Sequence, residues 1–169
     1  MPDFLTDAEE AALLEEVERL DFHEIRMRGQ TAKRTVIHFG LDYDYERWQV
    51  TPTGPVPKSF EWLRERAAGL VDRQPDELAE VLITRYPAGA GIGWHRDAPM
   101  FGEVIGISLA SACRMRFQRG KGEERLTADV ELEPRSAYVL AGSARWQWQH
   151  SIPATKGLRY SITFRTLKG

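Results

Sequence analysis

Two rhythms of apolar and polar residues divide this chain. Near its start, Thr6-Asp7-Ala8-Glu9 reads as a capping box, with Thr6 as N-cap and Glu9 three residues on. Ala12, Leu13, Val17 and Leu20 follow at helical spacing and predict a first helix to about Leu20. Residues 25–28 and 34–39 predict two strands around the turn Gly29-Gln30-Thr31. Pro52, Gly54, Pro55 and Pro57 interrupt regular structure, after which Ser59 is placed to cap a second helix to about Gly69, with Phe60, Leu63 and Ala67 inward. From Val81 the pattern turns to short alternating runs: 81–86, 92–95, 104–110, 114–118, 125–132, 137–140, 146–150 and 158–166. Seven or eight strands at that spacing, with turns such as Arg119-Gly120-Lys121-Gly122, predict an α+β but mainly β domain of jelly-roll type, its helices packed outside one sheet.

Composition narrows this further. A chain of 169 residues, 42% apolar and with five tryptophans, suits one folded domain and predicts a monomer. No apolar run approaches the roughly 18–20 residues of a membrane span, and the acidic start is unlike a signal peptide, so a cytoplasmic protein without membrane contact is expected. The single cysteine, Cys113, excludes an internal disulfide and falls in a probable strand as a buried, inert thiol. The net charge is −2 but uneven: residues 1–20 hold seven acids and one arginine, net −6, leaving 22 basic and 18 acidic residues beyond, net +4. Such a body can attract phosphate locally.

The candidate chemistry lies in the second half. His95-Arg96-Asp97 and His150 offer two imidazoles and one carboxylate, enough to cover one face of a mononuclear Fe(II) octahedron and leave three positions open. His23 and His38 read as surface or core histidines. In the closing strand, Arg159, Ser161, Thr163 and Arg165 share one face and Leu158, Tyr160, Ile162 and Phe164 the other. A polar face with an arginine at each end suits a dicarboxylate inside a barrel, because the guanidinium fork binds carboxylate bidentately. Zinc could use the same three ligands, but zinc hydrolysis gives the two arginines no role. Gly89, Gly91 and Gly93 precede a histidine and no helix, which argues against a nucleotide loop. Trp146 and Trp148 either wall the metal pocket or pack the core.

These pieces resemble the AlkB family of Fe(II)/2-oxoglutarate-dependent dioxygenases. The likeness runs over Thr84-Arg85-Tyr86-Pro87-Ala88-Gly89, His95-Arg96-Asp97, Gly142-Ser143-Ala144-Arg145 with His150, and the ending Arg159 to Arg165, with a weaker match at Val56-Pro57-Lys58-Ser59-Phe60. It implies a double-stranded β-helix in a single domain, 1–169, with N-terminal helices and a substrate lid in 1–79 and the catalytic core in 80–169. It implies Fe(II) on His95, Asp97 and His150, with 2-oxoglutarate and O2 as cosubstrates. Arg159, helped by Tyr86, would pair the far carboxylate, and Thr84, Ser161, Thr163 and Arg165 would line the rest. Arg145 would support the site. The family usually has Asn where Thr84 and Ser161 stand; both replacements keep a short polar group.

The same resemblance makes residues 40–53 a lid over the substrate. Tyr43, Tyr45 and Trp48 there either stack on a base or pack the lid onto the barrel. Arg26, Arg28, Lys33 and Arg34 either solubilise a hairpin or meet phosphate. The expected reaction is oxidative demethylation of alkylated nucleic acid, releasing formaldehyde, succinate and CO2. DNA-repair members place an acid a few residues after the H-x-D; here Ala98-Pro99-Met100-Phe101 follows, with none before Glu103. The same chemistry on a protein side chain or small molecule is therefore an alternative, as is a non-catalytic cupin-like module.

Overall fold

The computed structural model describes residues 1–27, 29–44 and 49–169. Its first helix, α1 (Asp7–Glu18), starts on the capping box: the Thr6 hydroxyl accepts from Glu9 N at 3.1 Å, and the Glu9 carboxylate from Thr6 N at 2.9 Å. The second, α2 (Glu61–Gly69), follows a 3-10 turn over Lys58–Phe60. Ser59 lies inside that turn and is not the cap. Instead Phe60 N donates to Pro57 O and Glu61 N to Lys58 O, so the tighter turn supplies the entry bonds.

The strands are β1 (His23–Met27), β2 (Gln30–Phe39), β3 (Leu41–Asp44), β4 (Gln49–Pro52), β5 (Leu78–Tyr86), β6 (Ile92–His95), β7 (Phe101–Leu109), β8 (Cys113–Arg119), β9 (Leu126–Leu132), β10 (Ala137–Leu140), β11 (Gln149–Ile152) and β12 (Arg159–Leu167). A six-stranded sheet runs β1-β2-β5-β12-β7-β10 and a four-stranded one β6-β11-β8-β9. Every pairing among them is antiparallel, as the jelly roll requires. Thus β1 and β2, from the N-terminal half, extend the larger sheet. β3 and β4 form a separate two-stranded ribbon.

The larger sheet has two different faces. On the outer one, Val81, Ile83, Ile105, Ile107, Tyr160, Ile162 and Phe164 pack with Leu13 and Val17 of α1 and with Leu63 and Ala67 of α2. Burying each large aliphatic there contributes about 1.5–3 kcal/mol. Its inner face carries Arg159, Ser161 and Thr163, opposite a smaller cluster of Tyr86, Cys113, Met115 and Ile152 that joins the two sheets. Cys113 is buried, and burial pushes its thiol up. The helices therefore seal one side of the sheet and leave the other for chemistry.

One strand expectation fails. Residues 142–146 form a short helix, α3 (Gly142–Trp146), and the strand begins only at Gln149. The Trp-Gln-Trp-Gln alternation imitates a strand period, but α3 turns Trp146 to the surface, 41% exposed, beneath Arg145 and Lys168. Trp148 is half-buried under Arg119. Trp146 thus packs no core; it lines a surface cleft with Gly102, Thr166 and Lys168 that includes none of His95, Asp97 and His150. Among the described residues, no helix is long and apolar enough to cross a membrane.

Candidate metal and dicarboxylate site

His95 ends β6 and His150 sits in β11, and the two strands pair so that these histidines are direct partners. Asp97 lies just past β6. Its Oδ1 is 3.7 Å from His95 Nε2 and 3.4 Å from His150 Nε2, and one ligand atom from each of the three lies within 4.8 Å of the others. His95 Nδ1 is 2.8 Å from the Gly93 carbonyl, which must accept its proton. That bond fixes the tautomer and leaves Nε2 free as a ligand. Burial, then the neighbouring His150, lowers His95 to about 4, so it is a neutral donor at ordinary pH. For Asp97, burial opposes the charge, but Arg165 and His150 outweigh it and hold the carboxyl well below the usual range.

The two arginines of β12 have different occupations. Arg165 donates through Nε to Asp97 Oδ2 at 2.7 Å and through Nη1 to Glu80 Oε2 at 2.5 Å. Its bond to Oδ2 leaves Oδ1 of Asp97 facing the imidazoles. Arg159 is 0% exposed, donates through Nε to Ser108 Oγ at 2.9 Å, and leaves Nη1 and Nη2 without a hydrogen-bond partner among the described residues. Its guanidinium lies 5.1 Å from the Tyr86 ring centre. A buried guanidinium with its fork unmet is costly, and a carboxylate is the group that meets it. Register puts Tyr86 opposite Arg159, and Thr84 and Ser108 on either side of Ser161. Thr84, Ser161 and Thr163 are all buried. This donor set, two imidazoles and a carboxylate near a barrel that also holds an unmet fork, fits iron with a chelating dicarboxylic keto acid.

Three inner residues escaped the sequence analysis. Glu80 shares the inward face of β5 with Thr84 and Tyr86 at two-residue spacing, a signal that alternation alone carries. Ser108 is a lone hydroxyl in the apolar run of β7. Tyr138 pairs with Gly106, and a Cβ at Gly106 would overlap the Tyr138 ring. Glycine there lets the phenol lie across the sheet, where burial pushes its ionisation up.

Around the site, Arg145 is buried and donates to the carbonyls of Gly102, Ala98 and Phe101 at 2.7–2.8 Å, clamping the loop after Asp97. Arg34 reaches the Gly91 carbonyl at 3.3 Å, just ahead of the ligand strand, and Lys33 is exposed. Arg28, Tyr45, Trp48 and the side chain of Tyr43 lie outside the described residues, so the lid contacts expected of them are not placed.

A family model described as the 2OG-Fe(II) oxygenase superfamily matches residues 1–165. The chain is 31% identical over 166 residues to the tRNA (carboxymethyluridine(34)-5-O)-methyltransferase ALKBH8 of Macaca fascicularis, covering 91% of this chain and 24% of that protein. It is also 31% identical over 183 residues to the alkylated DNA repair protein ALKBH8 homolog of Arabidopsis thaliana, covering 92% of this chain and 50% of that one. The chain thus spans between a quarter and a half of the length of these relatives. The solved structure of OsALKBH1 matches with a TM-score of 0.71 at 14% identity, over 98% of this chain and 95% of that one, a likeness of fold.

Proposed function

Because this chain belongs to the 2OG-Fe(II) oxygenase superfamily, in its AlkB-like branch, we propose that it is a dioxygenase that oxidatively demethylates alkylated nucleic acid. The observation that carries the reaction class is Arg159, whose unmet fork shares a barrel with the His95, Asp97 and His150 triad. The substrate class rests on the relatives, one named for tRNA and one for alkylated DNA, and on the basic balance of residues 21–169.

Fe(II) and 2-oxoglutarate fit the residues present. His95, Asp97 and His150 would hold the metal, and Arg159 with Tyr86 the far carboxylate of the keto acid. When both are bound, the chemistry supplied is oxidative decarboxylation: O2 and 2-oxoglutarate become succinate and CO2, and one oxygen atom enters a substrate C–H bond. The residues of the chain do the positioning. Gly93 orients His95, Arg165 turns one Asp97 oxygen toward the imidazoles, and Ser108 aims Arg159. The buried Thr84, Ser161 and Thr163 line the same face, which shields it from bulk solvent. An N-methyl group hydroxylated there is an N-hydroxymethyl group, which releases formaldehyde and returns the N–H.

A second reading keeps the reaction and changes the substrate to a protein side chain or small molecule. It is favoured by the loop after Asp97, where Ala98 and Phe101 are buried and Glu103 pairs with Arg73 at 3.1 Å. The test offers methylated RNA and DNA oligonucleotides, free methylated nucleosides and methylated peptides to the iron-loaded protein and measures formaldehyde. Release from an oligonucleotide alone is the expected result; release from peptides alone transfers the assignment to the second reading.

A further inference from the structure

We propose that Glu80 is a positioning residue for the metal ligand Asp97, acting through Arg165. The inference rests on the reading of His95, Asp97 and His150 as the iron ligands and concerns what holds one of them in place.

Glu80 is 1% exposed, deep in β5 and directly opposite Arg165 in the β5–β12 register. Both of its oxygens are used. Oε2 accepts from Arg165 Nη1, and Oε1 accepts from His38 Nδ1 at 3.1 Å. Asp42 stands 3.4 Å from the same Nδ1. Gly40 makes that approach possible: its φ of +79° turns the chain between β2 and β3, and a Cβ there would overlap the Ala79 carbonyl beside Glu80. His38, Asp42 and Glu80 lie close enough to suggest a second ion site. With Glu80 already bonded on both sides, hydrogen bonding accounts for the grouping.

The continuous order is therefore Asp42, His38, Glu80, Arg165, Asp97, from the base of the β3–β4 ribbon to the metal ligand. Arg165 carries one positive charge between two carboxylates. While Glu80 takes its share, Asp97 keeps negative charge for a metal, and the guanidinium is held at two points in the plane that presents Oδ1 to the imidazoles. With Glu80 neutral, the guanidinium would draw on Asp97 alone and lose one of its two anchors. Asp97 would then be a weaker and less well-aimed ligand. Partners outside the ligand set typically change metal affinity by about 10–100-fold, and Glu80 is one bond further out, so roughly tenfold is expected.

The test titrates the metal-free full chain with Co(II), whose visible absorption reports the ligand set, and follows the melting temperature alongside. Glu80→Gln keeps the shape and one acceptor oxygen. It should bind Co(II) about tenfold more weakly, with a shifted absorption band. A Glu80→Gln protein that folds and matches the wild type in affinity and band would overturn the proposal. Wild-type protein that takes up no Co(II) at all would overturn the ligand assignment itself, a distinct failure. Should Glu80→Gln not fold alone, Arg165→Gln is compared with the double variant Glu80→Gln/Arg165→Gln. If Glu80 acts through Arg165, the second change costs no further Co(II) affinity; a further tenfold loss would mean that Glu80 works by another route.

Discussion

His95 and His150 face each other as cross-strand partners of β6 and β11, their ring centres 4.2 Å apart. Strand pairing sets both nitrogen ligands before any metal arrives, and Asp97 closes the triangle. His95→Ala or His150→Ala should abolish metal binding and turnover while leaving the β signal of circular dichroism unchanged, because a three-ligand site tolerates no loss. Asp97→Ala should do the same, with an added fall in melting temperature, since Arg165 then keeps only Glu80. Metal content and succinate yield of each variant check this.

Arg159 makes a two-sided prediction. Replacing it with Met removes the partner of the far carboxylate, a loss of roughly 2–5 kcal/mol for a buried charge pair, so 2-oxoglutarate binding should weaken by more than about tenfold with metal binding intact. Without the keto acid, the same change removes a buried charge with an unmet fork. The metal-free, ligand-free variant should therefore melt no lower than the wild type. Calorimetric titration and thermal melting measure the two halves separately.

The face of β12 was legible in the sequence because a strand with one side against helices must alternate: Tyr160, Ile162 and Phe164 are core, and Arg159, Ser161 and Thr163 face inward. The His95 and Asp97 spacing was legible for the same local reason. The division of labour between the arginines was not. Arg165 differs from Arg159 through Asp97 and Glu80, 68 and 85 residues away, and the β5–β12 register that sets Glu80 opposite it is a tertiary fact. Around Trp146 a period of two misled, since the Trp-Gln-Trp-Gln run starts on the last residue of α3 and reaches β11 only at Gln149. At Ser59 the hydroxyl was a plausible cap, but a 3-10 turn had already met the backbone.

Gly106 is predicted to be irreplaceable while Tyr138 stands opposite. A methyl group there would overlap the phenol ring, and overpacking of this kind costs about 1–3 kcal/mol. Gly106→Ala should lower stability in urea, and adding Tyr138→Val should restore most of it. An additive double variant would show that the two side chains do not meet.

Glu9 ties α1 to α2 and gives the fold an acid-sensitive joint. Its carboxylate accepts from Arg66 Nη2 at 2.7 Å and Nη1 at 2.9 Å, besides the Thr6 N–H. The Arg66 bonds first, then Thr6, lower its pKa from 4.5 to about 2. The folded value lies below the unfolded one, so this contribution is complete above about pH 4.5 and is lost as pH falls through about 2. The melting temperatures of wild type and Glu9→Gln should differ at neutral pH and converge across that window. Both side chains are solvated, so high salt should also narrow the difference.

One barrel is proposed to hold a metal on His95, Asp97 and His150 and a keto acid on Arg159. The most direct measurement is succinate formed from 2-oxoglutarate by the protein with Fe(II), ascorbate and oxygen. One succinate is expected for each 2-oxoglutarate consumed, with none from Asp97→Ala and recovery in Arg159→Met only at high 2-oxoglutarate. A folded, iron-loaded wild-type protein that leaves 2-oxoglutarate unchanged, with or without a methylated oligonucleotide, would contradict it.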